Sequence, residues 1–281
     1  MDLKELRQIW REHRFDPKRS LGQNFLIDNN VKEKILNSLS LVENSTVIEI
    51  GPGFGIMTFE LAGMCGRLIA VEKDSKICDI MKELFDEKDN IAVINADVLE
   101  TDLCALAGKA GKVTVYGNIP YYISTPIVQK LIESRICVGN AYLVTQEELA
   151  NRMVASPGSK EYGSLSCFVQ FYARCKKLFR INKNCFFPRP KVNSSLLSFT
   201  MLEEPSVRVN DSVLMFRIIR KAFSQRRKKA VNSLSSGPFL PVERSTWQEA
   251  FVSCGIDPAS RAEVISLEDY ARLSDLVGTL L

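Results

Sequence analysis

Short apolar runs alternate with stretches of helical periodicity through the middle of the chain. Thr46–Ile50, Arg67–Val71, Ile91–Asn95, Val113–Tyr116 and Asn140–Gln146 are brief, rich in apolar residues and set off by polar or Gly positions, which predicts buried strands. Ser75–Phe85 and Glu147–Val154 read as helices. So does the stretch after Ser124 or Thr125, either of which can cap a helix with Pro126 in its first turn and Ile127, Val128, Leu131 and Ile132 on one face. Upstream, Met1 to Arg19 is a basic amphipathic lead-in, and Asp28 or Asn29 is placed to cap a helix carrying Val31, Ile35, Leu36 and Leu39. Strand–helix alternation predicts an α/β fold around a parallel sheet. Glu203-Glu204-Pro205 breaks the composition, and the remainder, with Trp247, Phe251, Tyr270 and Leu273, reads as a small helical domain. The expected division is therefore 1–202 and 203–281.

The candidate chemistry lies at the strand ends. Thr46–Ile50 runs into Glu49-Ile50-Gly51-Pro52-Gly53-Phe54-Gly55, where glycines permit a tight turn and close approach to a ligand, and a following helix would offer free N–H groups. The next strand ends at Glu72, placed to accept both hydroxyls of a ribose. Ile56 stands where a dinucleotide fingerprint needs a third small residue, so the motif matches instead the pattern of S-adenosylmethionine binders. Asp97 ends the third strand and could accept from an adenine amino group or cap a helix from Val98. The fourth strand delivers Gly117-Asn118-Ile119-Pro120-Tyr121-Tyr122, an amide carbonyl and aromatic faces suited to a flat base bearing an NH2 group. Gly51, Glu72, Asp97 and Asn118 thus share one edge of a parallel sheet. Gln23 and Asn24, just before an apolar anchor, could form a further ligand-facing loop.

Charge adds a partner class. Net charge is only +4, but it is unevenly placed. From Tyr162 to Leu202 there is no Asp or Glu and seven Lys or Arg, including Phe186-Phe187-Pro188-Arg189-Pro190-Lys191. Arg217 to Lys229 carries seven cations and no acid, ending in Arg226-Arg227-Lys228-Lys229, and is expected to form a helix whose cations face a phosphate backbone. Basic residues interleaved with aromatics suit a flipped base and flanking phosphates. The eight cysteines are scattered without a Cys-X-X-Cys pair, which suits reduced thiols, and His13 is the only histidine. Histidine-based catalysis and multi-histidine metal sites are therefore not expected. No apolar run is long enough to span a membrane, and the N-terminal stretch has no export signal, so a cytoplasmic protein is expected.

Taken together, Leu21-Gly-Gln-Asn-Phe-Leu26, Glu49-Ile-Gly-Pro-Gly-Phe-Gly55, Asn95-Ala-Asp97, Gly117-Asn-Ile-Pro-Tyr121, Phe186-Phe-Pro-Arg-Pro-Lys-Val192, Gln225-Arg-Arg-Lys228 and Gly255-Ile-Asp-Pro258 resemble the KsgA family of small-subunit rRNA adenine dimethyltransferases. The segments span almost the whole chain in order. The resemblance implies a class I (Rossmann-like) methyltransferase domain with a small C-terminal α-helical domain. It also implies transfer of methyl groups from S-adenosylmethionine to N6 of two adjacent adenines near the 3′ end of 16S rRNA. Carried over by position, cofactor contacts fall on Asn24, Leu26, Gly51, Gly53, Glu72, Asp97 and Asn118, and catalytic roles on Asn118, Ile119, Pro120, Tyr121 and Phe186. Phe186 takes the base-stacking place, although Phe187 duplicates the ring. Substrate RNA is assigned to Phe187, Arg189, Lys191, Arg226, Arg227 and Lys228. The expected partner is 16S rRNA in the immature small subunit, with the protein a monomer needing no metal. Rival readings are a large-subunit rRNA adenine methyltransferase of the antibiotic-resistance type and a non-catalytic assembly factor on the same fold.

Overall fold

The five strands predicted from the apolar runs lie side by side in a seven-stranded sheet in the computed structural model, which describes residues 3–17, 22–237 and 239–281. Leu21, the first residue of the Leu21–Leu26 segment, and residues 1, 2, 18 and 19 of the basic lead-in lie outside the described residues. In chain order the strands are β1 (Phe25–Leu26), β2 (Thr46–Ile50), β3 (Arg67–Glu72), β4 (Ile91–Asn95), β5 (Val113–Asn118), β6 (Val138–Gln146), β7 (Ala173–Ile181), β8 (Phe186–Phe187) and β9 (Ser194–Met201). Seven of them lie in the order β4-β3-β2-β5-β6-β9-β7, and β1 pairs separately with β8. The pairs from β4 across to β6 are all parallel, whereas β6 and β9 are antiparallel. Every residue of β2 is buried, which is why it reads as a continuous apolar run rather than an alternating one. The chain steps outward from β2 to β4, then returns to lay β5 on the other side of β2. That reversal opens a crevice at the carboxyl ends of β2 and β5.

The chain divides into two compact units, residues 1–150 with 174–203, and residues 151–173 with 204–281. The expected single cut at 203 therefore differs in one respect: residues 151–173 fold with the second unit, because Tyr162, Cys167 and Phe171 are buried in its core beside Met215, Trp247, Phe251 and Tyr270. Trp247 is fully enclosed there. Trp247→Ala is expected to cost about 3–5 kcal/mol, read as an earlier denaturant midpoint; a wild-type midpoint would contradict this packing.

Several local expectations need correction. The helix over 212–222 ends at Ala222, a 3-10 turn follows at 223–225, and Arg226–Lys229 are not helical. Val213, in the first turn of that helix, is exposed. The helix after the glycine turn begins only at Thr58, without a side-chain cap, so its N-terminus is not adjacent to Gly51. Ser124 opens its helix rather than capping it, and its hydroxyl donates to the Pro120 carbonyl. Asp28, by contrast, caps the helix Asn29–Leu36 through Val31 N–H. Cys104 and Cys137 are joined as a disulfide, contrary to the expectation of reduced thiols throughout. They stand 33 residues apart, and meet because the segment before β5 and the turn before β6 lie side by side, with Val113 N–H donating to the Cys137 carbonyl. Arg174, Lys176, Lys177 and Arg180 belong to β7, the edge strand, where exposed cations discourage further strand pairing.

Candidate active site

The crevice at the β2/β5 switch point is a cleft of about 940 Å3, its open mouth included. Gly51, Gly53, Glu72, Asp97 and Asn118 all line it, so the four strand ends singled out in the sequence do converge. Gly51 and Gly53 hold φ values of +63° and +57°, the left-handed region that favours glycine. A Cβ at Gly53 would also stand 2.8 Å from the Phe25 ring, which rests on the turn.

Glu72 is 7% exposed and its carboxylate is held by its neighbours: Asp74 N–H donates to Oε1 at 2.8 Å and Gly53 N–H to Oε2 at 3.4 Å. Burial pushes its pKa up to about 7 against these stabilising bonds. Glu49, only 2% exposed, is pushed to about 7 as well, by burial first, with the Thr58 hydroxyl donating to it at 2.7 Å and opposing the shift. Asp97 sits differently: Lys73 Nζ donates to Oδ2 at 2.6 Å and Leu99 N–H to Oδ1 at 2.9 Å. Lys73 holds its carboxyl below the usual range. Asp97 thus caps a turn at 98–100 in place of the helix expected from Val98, and it keeps its position on the cleft wall.

The N-terminal loop closes the other side. Asn118 Nδ2 donates to the Asn24 carbonyl at 3.0 Å, while the Asn24 side chain donates to the Gly22 carbonyl at 2.9 Å. The Asn118 amide is therefore fixed with its nitrogen toward the loop and its Oδ1 away from it. Ile119 N–H donates to Val144 O, and the Pro120 carbonyl accepts from Ile123 N–H and Ser124 Oγ. No hydrogen bond to the Ile119 carbonyl is formed among the described residues. Leu26, also on the cleft wall, pairs with Phe186 across the β1–β8 ribbon, and Phe25 with Phe187. Gln23 donates to Asp74, whose carboxylate caps the helix Ser75–Leu84.

The aromatic residues fall less simply. Phe186 is 3% exposed and packs in an apolar cluster with Leu26, Tyr116 and Tyr142, so its ring offers no open face. Phe187 is held between Trp10, with ring centroids 5.4 Å apart, and the Arg7 guanidinium at 5.0 Å. Tyr121 is half-buried, its hydroxyl bonded to Ser194 Oγ at 2.9 Å. Tyr122, 56% exposed on the cleft wall, is the more open ring, and no feature of the tandem tyrosines distinguishes it in the sequence.

Arg189 and Lys191 are exposed in the first unit. In the second, Arg226, Arg227 and Lys228 are all exposed, and Arg226 also bonds within its own unit. Its guanidinium donates to the Lys160 and Tyr162 carbonyls at 2.6 and 2.8 Å and faces Glu263 at 3.6 Å. Arg226 therefore ties its own unit together while its side chain stays about half exposed. Two cleft residues escape a reading of the sequence. Glu49 reads there only as the start of the glycine motif, and Tyr116 only as part of a strand. Tyr116, 1% exposed, lines the cleft with a hydroxyl that makes no hydrogen bond.

Comparisons with known proteins agree with this geometry. The model of the ribosomal RNA adenine dimethylase family matches residues 14–278. The chain is 36% identical over 275 residues to ribosomal RNA small subunit methyltransferase A of Clostridium botulinum, covering 98% of this chain and 99% of that one. It is 38% identical over 280 residues to the protein of that name from Bacillus licheniformis, covering 98% and 96%. Among solved structures, a dimethyladenosine transferase from Plasmodium falciparum superposes with a TM-score of 0.75 at 23% identity, over 89% of this chain and 95% of that one. The 23S rRNA methyltransferase ErmE does so with 0.71 at 23% identity, over 89% and 98%, and both show the shared Rossmann-like methyltransferase fold. With a match of that extent joined to the convergent strand ends, this chain belongs to the ribosomal RNA adenine dimethylase family.

Proposed function

We propose that this protein transfers methyl groups from S-adenosylmethionine to N6 of two adjacent adenosines in the 3′-terminal hairpin of 16S rRNA, giving N6,N6-dimethyladenosine. Its setting in this reading is the cytoplasm, its substrate the immature small subunit, and its working form a monomer. The observation that carries the reading is the Asn118 amide, clamped by the Asn24 carbonyl at the switch point of a family methyltransferase sheet. The names of its relatives, small subunit methyltransferases at 36–38% identity, support the choice of subunit.

The cleft suits the cofactor. Its acidic residues Glu49, Glu72 and Asp97 fit a ligand whose net charge is positive, and the unpartnered Tyr116 hydroxyl leaves a polar atom to be satisfied by a bound molecule. S-adenosylmethionine supplies an activated methyl on its sulfonium. Glu72 would accept from the ribose hydroxyls, Asp97 from the adenine amino group, and Asn24, Leu26, Gly51 and Gly53 would shape the wall. On the substrate side, the adenine N6 lone pair is delocalised into its ring. The Asn118 Oδ1 and the Ile119 carbonyl would accept its two N–H bonds and localise the pair toward the methyl. Pro120 stiffens this turn, and Tyr121 with its neighbour Tyr122 would hold the flipped base by stacking. Phe186 would serve from beneath, as packing under the β1–β8 ribbon. Phe187, Arg189, Lys191, Arg226, Arg227 and Lys228 remain our assignments for the RNA strand.

Purified protein incubated with methyl-labelled cofactor and either unmethylated small or large subunits tests the choice of substrate. Label is expected on the small-subunit RNA. Label confined to the large-subunit RNA would replace this reading with the resistance-type one, and binding without label would favour an assembly factor.

A further inference from the structure

The helix Leu3–Glu12 ends in a way that its sequence makes costly. Phe15 N–H donates to the Trp10 carbonyl at 2.8 Å and Arg14 N–H to the Arg11 carbonyl at 3.3 Å. These are the paired bonds of a Schellman motif, and the Phe15 and Trp10 rings meet at 5.8 Å as its accompanying apolar contact. The motif requires a left-handed residue at position 14, which is ordinarily glycine. Arg14 takes it with φ +47°, the only non-glycine residue with positive φ among the described residues. A strained backbone is retained where the side chain it presents is of use.

That side chain completes a cationic concavity. Arg7, Arg11 and Arg14 line it with Trp10 and Phe15, and Asp16 is the one acid on its wall. None of the three arginines forms an ion pair among the described residues. Arg11 Nε donates only to the Arg7 carbonyl, and Arg7 lies over the Phe187 ring. Lys76 Nζ adds a fourth cation at the rim, donating to the Arg14 carbonyl at 2.7 Å. Exposed cations gathered around a single acid repel one another unless a further anion joins them. The concavity also adjoins the machinery through contacts: Arg7 touches Phe187, Phe187 pairs with Phe25, and the preceding residue, Asn24, holds Asn118.

We propose that the Arg7–Arg11–Arg14 concavity binds backbone phosphates of the substrate RNA, beside the strand that carries the target base. This rests on the rRNA methyltransferase reading above and adds an RNA-binding surface outside the cleft. A phosphodiester strand fits because its charges are spaced along a line, as are cations at positions 7, 11 and 14. The competing role for cations at a helix C-terminus is purely structural, through the helix dipole.

Arg14→Gly separates the two roles. If the arginine serves RNA, the glycine variant melts at the wild-type temperature or above it, because the strain is relieved. It should bind small-subunit RNA several-fold more weakly, with its salt dependence, log Kd against log salt, flatter by roughly 0.7–0.9 for each phosphate no longer neutralised. Cofactor affinity and the single-turnover rate at saturating RNA should not change. The Arg7→Gln, Arg11→Gln double variant should weaken RNA binding further in the same direction. A lower melting temperature with unchanged RNA affinity and salt slope would overturn the proposal in favour of the dipole. Normal affinity for protein-free RNA, with weaker binding to assembled subunits, would overturn it in favour of an acidic protein surface. Either result in a preparation whose wild type methylates small-subunit RNA leaves the enzymatic reading intact. A wild type that neither binds nor methylates that RNA would overturn the reading itself.

Discussion

Asn118→Ala slows methyl transfer by about 100-fold or more, the loss expected when one preorganised polar partner of the reacting centre is removed. The expectation follows from how the amide is held. Its Nδ2 is spent on the Asn24 carbonyl at 3.0 Å, so only Oδ1 is aimed for an incoming N–H. Asn118 also ends β5, paired with Val144, and the backbone that carries it cannot drift. Asn118→Asp keeps the shape but turns a donor into an acceptor facing the Asn24 carbonyl. The carboxylate must rotate or repel, and the rate should fall as well. Single-turnover rates at saturating cofactor and RNA, read beside cofactor affinity by calorimetry, check the point. A loss confined to cofactor affinity, with a normal rate at saturation, would show that Asn118 acts on the cofactor alone.

Glu72→Ala weakens cofactor binding by roughly 10- to 100-fold, the cost of removing charge-assisted hydrogen bonds to a bound ligand. Its pH behaviour follows from its burial. Glu72 and Glu49 both titrate near 7 in the folded chain, above the ordinary carboxylate value of 4.5. Between those values the folded state holds protons that the unfolded state has released. The stability of the ligand-free protein therefore falls as pH rises from about 4.5 to about 7 and levels above it. Cofactor affinity should move the opposite way, rising through pH 7 as Glu72 becomes a full acceptor. Glu72→Gln should flatten the part of both trends that belongs to Glu72. Calorimetry at pH 6 and pH 8 reads the second trend, and equal affinities at the two would contradict the ribose role.

Much of the cleft is legible in the sequence because parallel strands covered on both faces read as unbroken apolar runs, with ligand groups just past their ends. Gly51, Glu72, Asp97 and Asn118 need only that rule. What fails is choice between like neighbours. Phe186 and Phe187 are the same residue on a two-residue strand, and only the pairing of Leu26 with Phe186 turns one of them into the core. Residues 151–173 precede β7, and nothing local shows that Phe171 belongs with Trp247 rather than with the sheet. The Cys104–Cys137 bond depends on β5 and β6 being neighbours, a long-range fact without a spacing signature. The Asn24 contribution is half visible: the loop reads as ligand-facing, but its carbonyl, which clamps Asn118, has no side-chain signal.

The most direct measurement digests small-subunit RNA after reaction with the purified protein and identifies the modified nucleosides and their positions by mass spectrometry. N6,N6-dimethyladenosine at two adjacent adenines near the 3′ end is the predicted result. Methylated bases at any other position or ring atom, or monomethyl products only, would contradict the account.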